Sequence, residues 1–231
     1  MTKENMYLLQ NSLLLNQKIL SDVEYNYLDI TKIFKLGDSI TLEEVDRFIA
    51  KSISDYKKYL LDIEVNLDDL YPLFIVEDVL SNQDSVNITT DEMILSKLSE
   101  YNKSEIGIKY SEILIDKYQI GYLSRFKKVS SFEYYGQVSK ELLNSSSDMQ
   151  TILKNSVYYK DIIGDSPKTI DRLFDEYLIK KMKEYQYHNI GINGIFSNVF
   201  FKMMEIKNIR IVLKSHLNHL NYEDSVRVLN G

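Results

Sequence analysis

Read for period, the chain is helical along nearly its whole length. Leu9, Leu13, Leu20, Val23 and Tyr27 recur at three, four and seven residues and form one apolar stripe, the mark of an amphipathic helix. This predicts a helix over about Lys3 to Phe34, either continuous or broken near Ser21-Asp22, and ended by Gly37-Asp38. The next helix carries its own start signal. Thr41 and Glu44 have the spacing of a capping box, in which the hydroxyl accepts from one free amide and the carboxylate from another, and Ile40 with Val45 forms a hydrophobic staple around it. Its buried face reads Val45, Phe48, Ile49, Ile53, Tyr56 and Leu60.

The same grammar recurs downstream. Thr89 with Glu92, stapled by Ile88 and Met93, makes a second box, and Ser147 with Gln150 a third. Ser166 caps a helix that has Pro167 at its first position, where a missing amide costs nothing. Asn221 with Asp224 opens a short further helix. Each cap contributes about 1 kcal/mol, and each sets a boundary independently of the apolar pattern. Pro72 leaves two readings open: it opens a helix over Leu73 to Leu80, or it kinks one begun at Asn66.

Two longer helices are predicted at about Glu105 to Lys128 and Ser166 to Tyr187. At an offset of 59 residues Leu114-Ile115-Asp116-Lys117-Tyr118-Gln119-Ile120 faces Leu173-Phe174-Asp175-Glu176-Tyr177-Leu178-Ile179. The likeness is either the shared period of two amphipathic helices or the trace of a duplicated helical unit. From Asn193 to Leu220 nearly every side is apolar, so this helix is expected to be buried on most sides as the spine of its domain. Its polar exceptions Glu205, Asn208 and Arg210 then need partners, because an unpaired buried charge is costly.

Composition narrows the class. With only 8 Gly and 2 Pro in 231 residues, the composition argues against the many tight turns of an all-β fold. The length suits one or two domains, and we divide it into an N-terminal helical domain, residues 1–103, and a C-terminal one, residues 104–231. The net charge of -6 argues against a nucleic-acid partner, whose phosphates call for a basic face. The densest basic stretch, Lys180-Lys181-Met182-Lys183, lies late in a helix, where cations answer the carbonyl dipole. Absence of cysteine excludes disulfides and thiol chemistry. The longest apolar runs, Tyr71 to Val76 and Val199 to Phe201, are too short to span a bilayer, and Met6 to Leu20 does not read as a signal peptide.

Spacing shows no catalytic pattern. Neither a G-x-S-x-G elbow nor a G-x-x-x-x-G-K or G-x-G-x-x-G loop occurs, and Gly191-Ile192-Asn193-Gly194 reads as a turn between helices. His216 and His219 share a helix face, and a metal would need a third ligand such as Glu223 or Asp224; the simpler reading is that they meet the helix dipole. Glu43-Glu44 and Asp68-Asp69 lie at helix starts and need no acid–base explanation. No catalytic, cofactor-binding or metal-ligating residue is assigned, and no cofactor is expected.

The segment Glu205-Ile206-Lys207-Asn208-Ile209-Arg210-Ile211-Val212-Leu213 resembles the signature E-(I/A)-K-N-(I/L)-R-x-I of the C-type stalk component of the V/A-type rotary ATPases, called d in eukaryotes. Upstream, Ser166-Pro167, Ile170-Asp171, Phe174-Asp175 and Tyr177 resemble the helix that precedes that signature, and Asn221 to Leu229 resembles the short terminal helix. The likeness covers about residues 160–231. The chain departs from the pattern in being shorter, in lacking the N-terminal Arg-bearing aromatic helix, and in placing His216 and His219 where a basic residue and a Gly are usual.

The resemblance implies an all-α fold of repeated antiparallel helical units, about ten helices in all. It implies a non-catalytic central-stalk subunit that couples the rotating shaft to the membrane rotor ring for proton or sodium transport. Its partners would be the shaft subunits of the soluble ATPase head and the rotor ring, with no nucleic acid and no direct membrane span, on the cytoplasmic face of the membrane. Glu205, Asn208 and Arg210 are then family-motif residues, read either as a buried polar clasp within the fold or as a contact to the shaft. The alternative class is a stand-alone helical protein-interaction module; a third is a helical enzyme with an acidic site.

Overall fold

The computed structural model describes residues 41–81, 90–146, 148–162, 170–188 and 191–218. The helix expected over Lys3 to Phe34, the staple residue Ile40, the caps Thr89, Ser147 and Ser166, Pro167, the Asn221–Asp224 start and His219 lie outside the described residues. Among the described residues the secondary structure is all helix: α1 (Leu42–Asp62), a 3-10 turn (Leu67–Leu70), α2 (Tyr71–Ser81), α3 (Thr90–Ser99), α4 (Glu105–Phe126), α5 (Lys140–Ser145), α6 (Met149–Lys154), α7 (Ile170–His188) and α8 (Ile192–Leu217). The all-α expectation holds, and these eight α-helices come close to the ten expected.

The helices gather into two compact units. Among the described residues one joins the stretch ending at Leu67 to the stretch beginning at Tyr185; the other lies within Asp68–Glu184. The 103/104 division drawn from the sequence falls inside the second unit.

In the first unit α1 begins at the expected capping box. The Thr41 hydroxyl accepts from the Glu44 amide at 3.2 Å, and Glu44 Oε2 accepts from the Thr41 amide at 2.7 Å. Val45, Ile49, Ile53 and Leu60 are buried, while Phe48 and Tyr56 of the expected face are half-buried. The helix ends in a Schellman turn, with the Glu64 amide on the Leu61 carbonyl and the Val65 amide on the Leu60 carbonyl, both at 2.9 Å. Glu64 takes the left-handed conformation at φ 62, a position that usually holds Gly.

Helix α8 is the spine its sequence predicts: of its side chains that are described, only that of Lys207 is exposed. It packs along α1. Lys214 Nζ reaches Asp46 Oδ1 at 2.7 Å, and Glu205 lies near enough to Tyr56 for its charge to add to the burial that pushes the Tyr56 hydroxyl up. Lys214 pairs near the start of α1 and Glu205 acts near its end, so the two helices run antiparallel. Helix α8 begins earlier than its sequence suggests, at Ile192. Gly191 takes a positive φ, at 124, and Asn193 and Gly194 already belong to the helix.

In the second unit Ile75, Val79, Leu95, Leu98 and Ile115 bring α2, α3 and α4 into one core. Pro72 opens a helix and does not kink one: it is the second residue of α2, after the 3-10 turn, where no helical amide is required. Tyr101 fastens α4 to that turn, its hydroxyl donating to the Asp69 carbonyl at 2.8 Å. Its ring fills the space beside Gly107, where a Cβ would come within 2.4 Å of Tyr101 Cε1. Helix α4 stops at Phe126, short of the expected Lys128, because Lys127 turns left-handed at φ 57 and its amide returns to the Leu123 carbonyl at 2.8 Å.

Helix α7 lies antiparallel to α4. Lys117 meets Asp175 at 2.6 Å and Arg125 meets Asp171 at 3.6 Å. The two helices bury the same stripe at the offset of 59: Ser111, Ile115, Gln119 and Leu123 on one, Ile170, Phe174, Leu178 and Met182 on the other. Helix α6 takes its cap from Asp148, whose carboxylate accepts from the amides of Gln150 and Thr151 at 3.3 and 3.0 Å. A carboxylate is a strong acceptor at this position.

Candidate functional site

The family-like segment lies in the second half of α8. At 100° per residue, Glu205 and Asn208 share a face, and both are buried. Arg210 lies on another side and is half-buried. Glu205 Oε2 accepts from Lys202 Nζ at 3.3 Å. Burial pushes the Glu205 carboxyl above its usual range, and Lys202 opposes the shift. At the other end of the helix Gln186 Nε2 donates to Asn198 Oδ1 at 2.8 Å, and both residues are buried. The buried polar residues of α8 thus sit within its packed body, on a helix already covered on most sides.

The Lys180–Lys183 stretch is engaged locally. Lys180 pairs with Asp161, and Lys181 pairs with Glu184 while lying over the Tyr177 ring. His188 and His216 belong to α7 and α8.

A second polar centre, at the heart of the Asp68–Glu184 unit, was not singled out from the sequence. Asp116 of α4 is fully buried. Its Oδ2 accepts from the Tyr158 hydroxyl at 2.7 Å and from the Gln137 amide at 2.8 Å, and the Val138 amide lies 3.2 Å from both oxygens. Burial pushes the Asp116 carboxyl up to about 6, against the downward pull of these donors and of the Gly136 backbone. Tyr158 is fully buried too and stands edge-on to Phe174 and Tyr177 of α7 at 5.1 and 5.3 Å. Burial and the Asp116 charge drive its hydroxyl far up, so it stays protonated and serves as a donor.

Gly136 is required at this centre: a Cβ there would lie 2.1 Å from the Glu112 carbonyl oxygen. In this enclosed state the Asp116 carboxylate ties Tyr158 and the Gln137–Val138 backbone to α4. One signal for it was present in the sequence, an aspartate set among the apolar positions Ile113, Ile115 and Ile120. Its partners, which arrive from beyond α4, left no such trace.

No solved structure matches the chain. Among curated proteins it is 26% identical over 218 residues to the structural maintenance of chromosomes protein 3 homolog of Plasmodium falciparum, a stretch that takes in 88% of this chain and 18% of that protein. The chain therefore spans less than a fifth of that relative's length. The family model of the ATP synthase (C/AC39) subunit matches residues 14–225, well upstream of the part in which the resemblance is legible by eye, and the chain belongs to that family, the C/AC39 family of V/A-type ATPases.

Proposed function

We propose that this protein is a non-catalytic central-stalk part that couples the rotating shaft of a V/A-type ATPase to its membrane rotor ring, so that ATP turnover and proton or sodium movement stay linked. The observation that carries this reading is the family match over residues 14–225. The physical character of the described helices suits it. A torque-bearing part must resist bending, and interiors packed as closely as α1 against α8 and α2 against α3 transmit strain. Among the described residues no helix is long and apolar enough to cross a membrane, so its link to the rotor ring would run through protein surfaces on the cytoplasmic side. No cofactor enters the mechanism. In this reading Glu205, Asn208 and Arg210 form a clasp that keeps α8 in register and do not face the shaft.

The test is reconstitution of the ATPase with and without the chain. With it, ATP hydrolysis drives ion uptake into vesicles; without it, the soluble head still hydrolyses ATP while uptake is lost. Full uptake in its absence, together with failure to co-purify with shaft and ring subunits, would overturn the coupling role and favour a stand-alone interaction module.

A further inference from the structure

Between α4 and α5, residues 128–139 form neither helix nor strand, yet they lie back along α4. Gln119 Nε2 donates to the carbonyls of Phe132 and Tyr134 at 3.2 and 2.7 Å, and Gln119 Oε1 accepts from the Ser130 hydroxyl at 2.6 Å. Further back on α4, Asp116 takes the amides of Gln137 and Val138. Glu112 takes the Gln137 side-chain amide at 3.1 Å. As the numbers fall along α4 they rise along the segment, so it runs antiparallel to the helix. The grip is made by helix side chains, mostly on the backbone of the segment. Only Ser130 and Val138 of these residues are buried; Phe132 and Tyr134 are half-buried against the edge of the core. A segment with so little buried apolar surface opens at a lower free energy than the helices around it.

We propose that residues 128–139 are a strap that leaves and rejoins α4 as one unit, with Asp116 as the latch that sets how often it opens. Docking encloses the carboxylate; release returns it to water. Around the docked carboxylate stand the Tyr158 hydroxyl from the turn after α6, Glu112 one helical turn earlier on α4, and Tyr177 of α7 behind Tyr158. Next to it, Lys117 is paired with Asp175. Burial disfavours ionisation in the docked state, and the neutral hydrogen-bond donors to Asp116 only partly offset it. The shift to about 6 has burial as its largest cause, and it makes the latch respond to pH. A carboxyl raised in the docked state adds most to docking below the ordinary aspartate range. That contribution is lost as pH rises through about 6, above which it stays flat.

Native-state hydrogen exchange on the full chain, corrected for the intrinsic pH dependence of exchange, reads the opening directly at the Gln137 and Val138 amides. Between about pH 4 and about pH 7.5 the opening constant is expected to rise on the order of a hundredfold, the linkage expected of a carboxyl moved up to about 6, and equally at both amides. In Asp116→Asn that rise disappears. Tyr158→Phe removes a donor that holds the carboxyl down, so the midpoint moves to higher pH. A flat profile in the unaltered protein, an unchanged profile in Asp116→Asn, or separate opening of the two amides would each overturn the proposal. Should Asp116→Asn fail to fold, an unmoved midpoint in Tyr158→Phe overturns it.

Discussion

At the scale of single residues, backbone conformation constrains one position and room for a Cβ constrains another. Glu64 carries a Cβ into the left-handed region at the end of α1, where L-residues other than Gly lose about 1–2 kcal/mol. Glu64→Gly relieves this, less the extra freedom glycine has in the unfolded chain. We expect a net gain of about 0.5–1 kcal/mol, read as a higher urea midpoint at unchanged slope. Gly136 has the opposite constraint. The space for a Cβ is already occupied by the Glu112 carbonyl oxygen, which is backbone and cannot swing aside. Gly136→Ala should therefore cost about 2–3 kcal/mol in chemical denaturation, as overpacked sites do. It should also loosen the strap at Gln137 and Val138 before it loosens the helices.

At the scale of elements, the pairing of α4 with α7 turns on Lys117 and Asp175, which are 18% and 13% exposed. Lys117→Ala leaves a largely buried carboxylate without its cation, and a loss of about 2–3 kcal/mol is expected. Replacing both residues, Lys117→Met with Asp175→Leu, should recover most of it; a double-mutant cycle in urea measures the coupling. Such elements were readable where their cause is local. The Thr41 box, the start of α4 at Glu105 and the apolar sides of α8 all lie within a few residues of what determines them. What escaped depends on groups far apart along the chain. Asp116 looks like an interruption of an apolar pattern until Val138 and Tyr158, 22 and 42 residues further on, are brought to it. Period alone shows that α1 has an apolar face, and only the fold shows that α8 covers it.

At the scale of the whole molecule, Asp68–Glu184 is a compact unit set between two segments that complete one another. Expressed alone, residues 68–184 should keep helical circular dichroism and a cooperative melt, because the α2–α3–α4 core and the α4–α7 pair lie almost wholly within it. A fragment of residues 41–67 should show neither, since α1 then lacks the helix that packs along it. Non-cooperative melting of the first fragment would count against the division. The same arrangement constrains how the protein is made. As the nascent chain leaves the ribosome at about 5–20 residues per second, the 68–184 unit can close while α1 waits, its Val45, Ile49 and Ile53 side without α8 until that helix is translated. For those seconds α1 is a ready target for chaperones, and a pause in translation before Ile192 would lengthen its exposure.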